Sequence, residues 1–155
     1  MTCAREPAVA GSFYPADPRE LNGLLDALLA DAATHESPPK ALIAPHAGYI
    51  YSGPVAATAY ASLAPVADQI TRVVLLGPAH RKAFRGLAAS SASSFRTPLG
   101  RVPLDREAIT RILELPQVHD DDAAHAMEHS LEVHLPFLQH QLSDFALVPL
   151  VVGEA

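Results

Sequence analysis

Two histidines sit in matching places along this chain. His46 follows the apolar run Ala41-Leu42-Ile43-Ala44 and Pro45, and His80 follows Val73-Val74-Leu75-Leu76 and Gly77-Pro78-Ala79. Each run reads as a short strand, so each imidazole is expected just past a strand's carboxyl end. In an open α/β sheet, that rim faces the crevice where ligands bind. Two imidazoles on one rim point to metal binding or acid–base chemistry. Turns at Pro45 and Gly48, and at Gly77-Pro78, hold both rings close to the backbone.

A third cluster, Glu128-His129-Ser130-Leu131-Glu132-Val133-His134, adds ionisable groups. On a helix, His129 and Glu132 would share a face at i, i+3, and Glu128 and Glu132 at i, i+4. The zinc pattern H-E-x-x-H is absent, and H-x-x-E-x-H is one residue too long for its inverted form. We therefore assign His129, His134 and Glu132 to acid–base work and Glu128 to orienting the metal-side imidazoles. The competing structural role is a polar helix start with acids near the positive dipole end. His35, His119, His125 and His140 stand in polar contexts and read as solvated; Asp120-Asp121-Asp122 reads as a charged loop. Phe13, Tyr14, Tyr49 and Tyr51 cluster around glycines, with Tyr49 and Tyr51 facing a pocket mouth while Ile50 packs inward.

The elements that must position these groups follow from pattern. Asp17 caps a helix with Pro18 at its first position, and Leu21, Leu24, Leu25, Leu28 and Leu29 mark its buried face. Pro38-Pro39 precedes the strand at 41–44, Ser52 caps a second helix to about Leu63, and a strand runs from Arg72 to Leu76. That strand–helix–strand order implies a right-handed crossover and a parallel sheet. Residues 86–100 read as a short strand and loop, Asp105 caps a helix to about Leu115, and 118–128 read as loop. Leu131, Leu135, Leu138 and Leu142 form a helical stripe that Pro136 must kink or restart. Phe145–Val152 reads as a buried strand. The fold class is α/β, a mostly parallel central sheet flanked by helices.

Composition narrows the classes of function. The chain has 155 residues, 49% of them hydrophobic, and a formal net charge of −6. No basic run exceeds Arg81-Lys82, which argues against a nucleic-acid partner. No apolar stretch approaches the ~20 residues of a spanning helix, so we expect no membrane partner. The N-terminus carries no basic segment leading into an apolar stretch. Cys3 is the one cysteine, with no assigned role, and the expected compartment is the reducing cytoplasm. No G-x-S-x-G, Walker, dinucleotide or C-x-x-C motif is present. Only three residues follow Val152, so we read 1–155 as one α/β domain, C-terminally incomplete and the front part of a longer one. The final strand is expected to be exposed, a route to association through an incomplete sheet edge.

Ala8–Pro15 (AVAGSFYP), Ala44–Tyr49 (APHAGY), Gly77–His80 (GPAH), Thr97–Gly100 (TPLG) and Glu128–Pro136 (EHSLEVHLP) stand in order along the chain. Together they resemble the Memo family, whose prokaryotic members are labelled AmmeMemoRadiSam system protein B. The resemblance implies a fold similar to the class III non-heme iron extradiol dioxygenases. It implies that His46 and His80 look toward a metal, and that Phe13 and Tyr51 line the pocket. Phe13 departs from the tryptophan of animal members. The resemblance further implies a cysteine, an aspartate and a histidine from a C-terminal portion, so the third protein ligand is expected outside this chain. Fe(II) is the expected cofactor, with Zn or Cu as alternatives. The activity is expected to be dioxygenase-like redox chemistry on a small molecule; a non-catalytic peptide or anion adaptor and a metal-dependent hydrolase remain open.

Overall fold

The computed structural model describes residues 3–33 and 37–154. His35 lies outside the described residues. A two-residue strand β1 (Ala4–Arg5) leads into a loop and helix α1 (Pro18–Ala30). Asp17 caps α1 as its side chain accepts from Arg19 N at 2.8 Å and Glu20 N at 3.0 Å. Leu21 and Leu25 are fully buried, while Leu24, Leu28 and Leu29 pack at the margin of the core.

Helix α2 (Tyr49–Ala61) starts three residues earlier than Ser52, with Gly48 as its cap. The shift matters for the aromatic residues. On a helix start rather than an extended segment, Tyr49 turns into the core, and Ile50 is 86% exposed beside Tyr51 at 83%. The expected inward packing of Ile50 is therefore corrected.

Residues 41–44 form no strand, a second correction, although Leu42 and Ala44 pack on the core. Ile43 is left 101% exposed. The next strand, β2 (Arg72–Pro78), consequently has an open edge. Beyond it come β3 (Leu87–Ala89), the hairpin β4 (Ser94–Thr97) and β5 (Gly100–Pro103), and α3 (Arg106–Ile112), capped by Asp105. The stretch read as loop contains β6 (Val118–Asp120) and the short α4 (Asp122–Ala126). Pro136 does restart the helix: a 3-10 turn at Glu132–His134 gives way to α5 (Leu135–Gln141). The last strand is β7 (Ala146–Val152).

These strands form two mixed sheets. The four-stranded sheet has the order β2-β7-β3-β6, with β2–β7 and β3–β6 parallel and β3–β7 antiparallel. The smaller sheet has the order β1-β4-β5. The fold is thus α/β, with helices against the sheets. β7 is central and mostly buried, paired along its whole length with β2, so the expected exposure of the final strand is corrected. Among the described residues β2 and β6 are the edges of this sheet, and on β2 Val74 and Leu76 are 56% and 53% exposed. Leu21, Leu25, Phe95, Ile109, Leu135, Phe137 and Leu147 fill the core. Each such side chain contributes roughly 1.5–3 kcal/mol of hydrophobic burial. Among the described residues, no helix is long and apolar enough to cross a membrane.

Candidate metal centre

Three segments meet at one rim of the four-stranded sheet. The turn before α2 carries His46, the turn after β2 carries His80, and the loop between α4 and the 3-10 turn carries His129. One ring nitrogen from each lies within 4.8 Å of the others. The His80 and His129 rings stack at 4.5 Å and 18°, and His46 stands 5.2 Å from His80 and 6.0 Å from His129 between centroids. His129 therefore joins the two histidines singled out as metal-facing. The spacing H-x-x-E-x-H hid this, because residues 127–131 form a turn rather than a helix and the periodicity argument does not apply to them.

Glu128 organises the cluster from behind. Its carboxylate accepts from the His80 backbone N–H at 2.6 Å and lies 2.8 Å from His80 Nδ1. It also accepts the backbone N–H groups of His129 at 2.9 Å and Ser130 at 3.0 Å. Burial opposes its ionisation, but hydrogen bonds from the His80 ring, the His80 backbone and Ser130 outweigh burial and bring the pKa to about 2. Ionised Glu128 fixes Nδ1 of His80 as the proton-bearing nitrogen and leaves Nε2 free. Ser130 Oγ donates to Pro78 O at 2.9 Å, which ties this loop to the end of β2. Gly77 permits the approach, since a Cβ there would stand 2.7 Å from Ser130 Oγ.

The other two imidazoles are neutral by environment. Burial lowers the pKa of His129, with His80, His46 and Arg81 adding to it against the opposing pull of Glu128. Burial, then His80, lowers that of His46. Phe13 packs on His129 with centroids 4.7 Å apart. The side chain of His80 is 38% exposed, so one side of the cluster is open to solvent. Tyr51 stands exposed on the first turn of α2, with no ring contact to any of the three imidazoles.

The donor set suits a divalent transition metal. Imidazole serves zinc, copper and iron alike, and it binds in the neutral form these surroundings favour. His129 Nδ1 is buried, makes no hydrogen bond among the described residues and lies 3.6 Å from Glu128 Oε1.

Glu132 and His134 are placed elsewhere. Glu132 is 1% exposed and its carboxylate is saturated. It pairs with Arg5, accepts from Ala8 N at 2.8 Å and Val9 N at 3.0 Å, and takes the Tyr14 hydroxyl at 2.6 Å. It holds the loop that carries Phe13. His134 sits behind the cluster, its Nδ1 2.8 Å from the Tyr60 hydroxyl. Burial, reinforced by His46, lowers its pKa to about 4. His125, read as solvated, is buried, with Nε2 2.9 Å from Ala88 O, because residues 122–126 fold as a helix against β3. His140 pairs with Asp26 at 2.7 Å.

A mixed α/β protein with a candidate three-histidine metal site at a sheet rim is the class that fold and site define. Residues 5–155 match the family model described as Memo-like protein. A MEMO1 family protein of Aquifex aeolicus is 44% identical over 149 residues, covering 96% of this chain and 54% of the relative. Its counterparts in Ignicoccus hospitalis and Methanopyrus kandleri are 44% and 43% identical, covering 96% of this chain and 56% of each relative. The chain belongs to the Memo-like protein family, and it spans just over half the length of these relatives.

Proposed function

We propose that His46, His80 and His129 together bind one divalent transition metal, with Fe(II) the first candidate, and that the site serves oxidoreductase chemistry of the dioxygenase type. The observation that carries this reading is the convergence of three imidazole nitrogens within 4.8 Å of one another beside a buried carboxylate. Iron held by His46, His80 and His129 would supply redox chemistry toward dioxygen. Glu128 orients His80 and offsets part of the cation's charge. Phe13, packed on the His129 ring, would shield it from water, and Tyr51, exposed on the first turn of α2, would be a substrate contact. His134, held by the Tyr60 hydroxyl behind the cluster, is a positioning residue rather than a base, because burial lowers its pKa to about 4.

Anaerobic titration of the chain with Fe(II), followed by oxygen-uptake assays with catechols, tests the reading. One iron per chain and uptake that needs both catechol and iron are the expected results. Stoichiometric Zn(II) with hydrolysis and no oxygen uptake would replace the redox reading with a metal-dependent hydrolase. Metal binding without turnover would leave an anion- or peptide-binding module.

A further inference from the structure

A groove of about 440 Å³ opens beside the cluster, with His80 in its wall. Arg81 lines it next to His80, and Glu154 stands among its lining residues on the opposite chain segment. Phe84 and Val152 give it an apolar stretch of wall. The neighbouring cation, Lys82, is already paired with Asp121 at 2.5 Å. Arg81 is exposed and has no carboxylate partner among the described residues.

We infer that this groove seats a small organic acid, with its carboxylate on Arg81, its apolar body along Phe84 and Val152, and its other end at the imidazole cluster. This inference rests on the metal reading above for the second anchor only. Three physical points support it. A protein of net charge −6 repels anions in general, so an unneutralised guanidinium inside a concave surface marks a local exception. A guanidinium offers a planar fork that matches a carboxylate, which an ammonium does not. Glu154 repels an anion from its own part of the groove and so favours binding with the acid end at Arg81.

Benzoate, a flat apolar ring with one carboxylate, is the probe, and benzamide is its neutral isostere. Calorimetric or NMR titration is run on the zinc-loaded and the metal-free chain, on Arg81→Gln, and on Lys82→Gln as a control. Wild type should bind benzoate roughly tenfold or more tightly than benzamide, the step expected for one charge-assisted contact. Arg81→Gln should erase that preference, and Lys82→Gln should retain it. Equal binding of benzoate by wild type and Arg81→Gln, equal binding of the two probes, or no benzoate binding overturns the inference. Zinc uptake is read separately. A chain that takes no zinc contradicts the metal reading alone, while the metal-free titration still decides whether Arg81 seats the anion.

Discussion

The Glu128 carboxylate lies 2.8 Å from His80 Nδ1 and accepts the His80 backbone N–H at 2.6 Å, so one buried acid fixes both the ring and the main chain of one histidine. The same carboxylate closes the turn that presents His129. Two of the three imidazoles therefore take their positions from one side chain. The third, His46, makes no hydrogen bond among the described residues and is placed by the Pro45 turn and the start of α2.

Glu128→Gln should weaken metal binding about 10- to 100-fold, the usual range for losing a carboxylate that orients a ligating histidine. The amide retains size and some hydrogen bonding but not the charge that holds the proton on Nδ1. Zinc affinity measured by competition with a chromophoric chelator checks this. Unchanged affinity would mean that Glu128 is merely a turn residue.

Glu132 acts on stability. It is the buried partner of Arg5, whose side chain is 7% exposed, and removing one member of such a pair costs about 3–5 kcal/mol. Glu132→Ala should show that loss in urea unfolding, with Tyr14 and the Ala8–Val9 backbone losing their acceptor as well. A cost below about 1 kcal/mol, the level of an exposed ion pair, would contradict the burial argument.

Stability should also depend on acid through His134. Its folded pKa of about 4 lies below the ordinary value of 6.5, so between these the unfolded chain binds a proton that the folded chain refuses. Stability should therefore fall as pH drops from about 6.5 to 4, by up to about 3 kcal/mol from this group. His125, also held neutral by burial, adds in the same direction. Thermal melts across that window should show a shallower slope in His134→Gln; an identical slope would place the proton uptake elsewhere.

Gly77→Ala tests the contact between β2 and the Glu128–Ser130 loop. The new Cβ would stand 2.7 Å from Ser130 Oγ and 3.0 Å from Ser130 Cβ, and must displace the loop. Metal affinity should fall together with stability, whereas Gly23→Ala, on the open face of α1 with nothing within 4 Å, should leave metal affinity unchanged and raise stability by about 0.5–1 kcal/mol. Retained affinity in Gly77→Ala would show that the loop tolerates the shift.

Much of this was legible in residue order. Asp17, Asp105 and the leucine stripe of α1 announce their helices through local chemistry, and Pro136 announces a helix restart. His46 and His80 stand out because each follows an apolar run and a turn. His129 was harder to place, since its role depends on Glu128 folding back on the His129 and Ser130 amides. No periodicity records that long-range arrangement with His80. The run at 41–44 misled for a different reason. Apolar composition describes its burial through Leu42 and Ala44, but a strand also needs a hydrogen-bonded neighbour, and β2 does not pair with it. The exposure of the final strand was misjudged because sequence order says nothing of sheet order, and β7 inserts between β2 and β3.

The most direct test counts imidazoles. X-ray absorption or pulsed electron paramagnetic resonance on the metal-loaded chain reports how many histidine rings bind the ion, in wild type and in His46→Ala, His80→Ala and His129→Ala. Three rings in wild type and two in each variant, with weakened affinity, is the result a shared centre predicts. Two rings in wild type, unchanged in His129→Ala, would remove His129 from the centre and return the search for a third ligand to other residues.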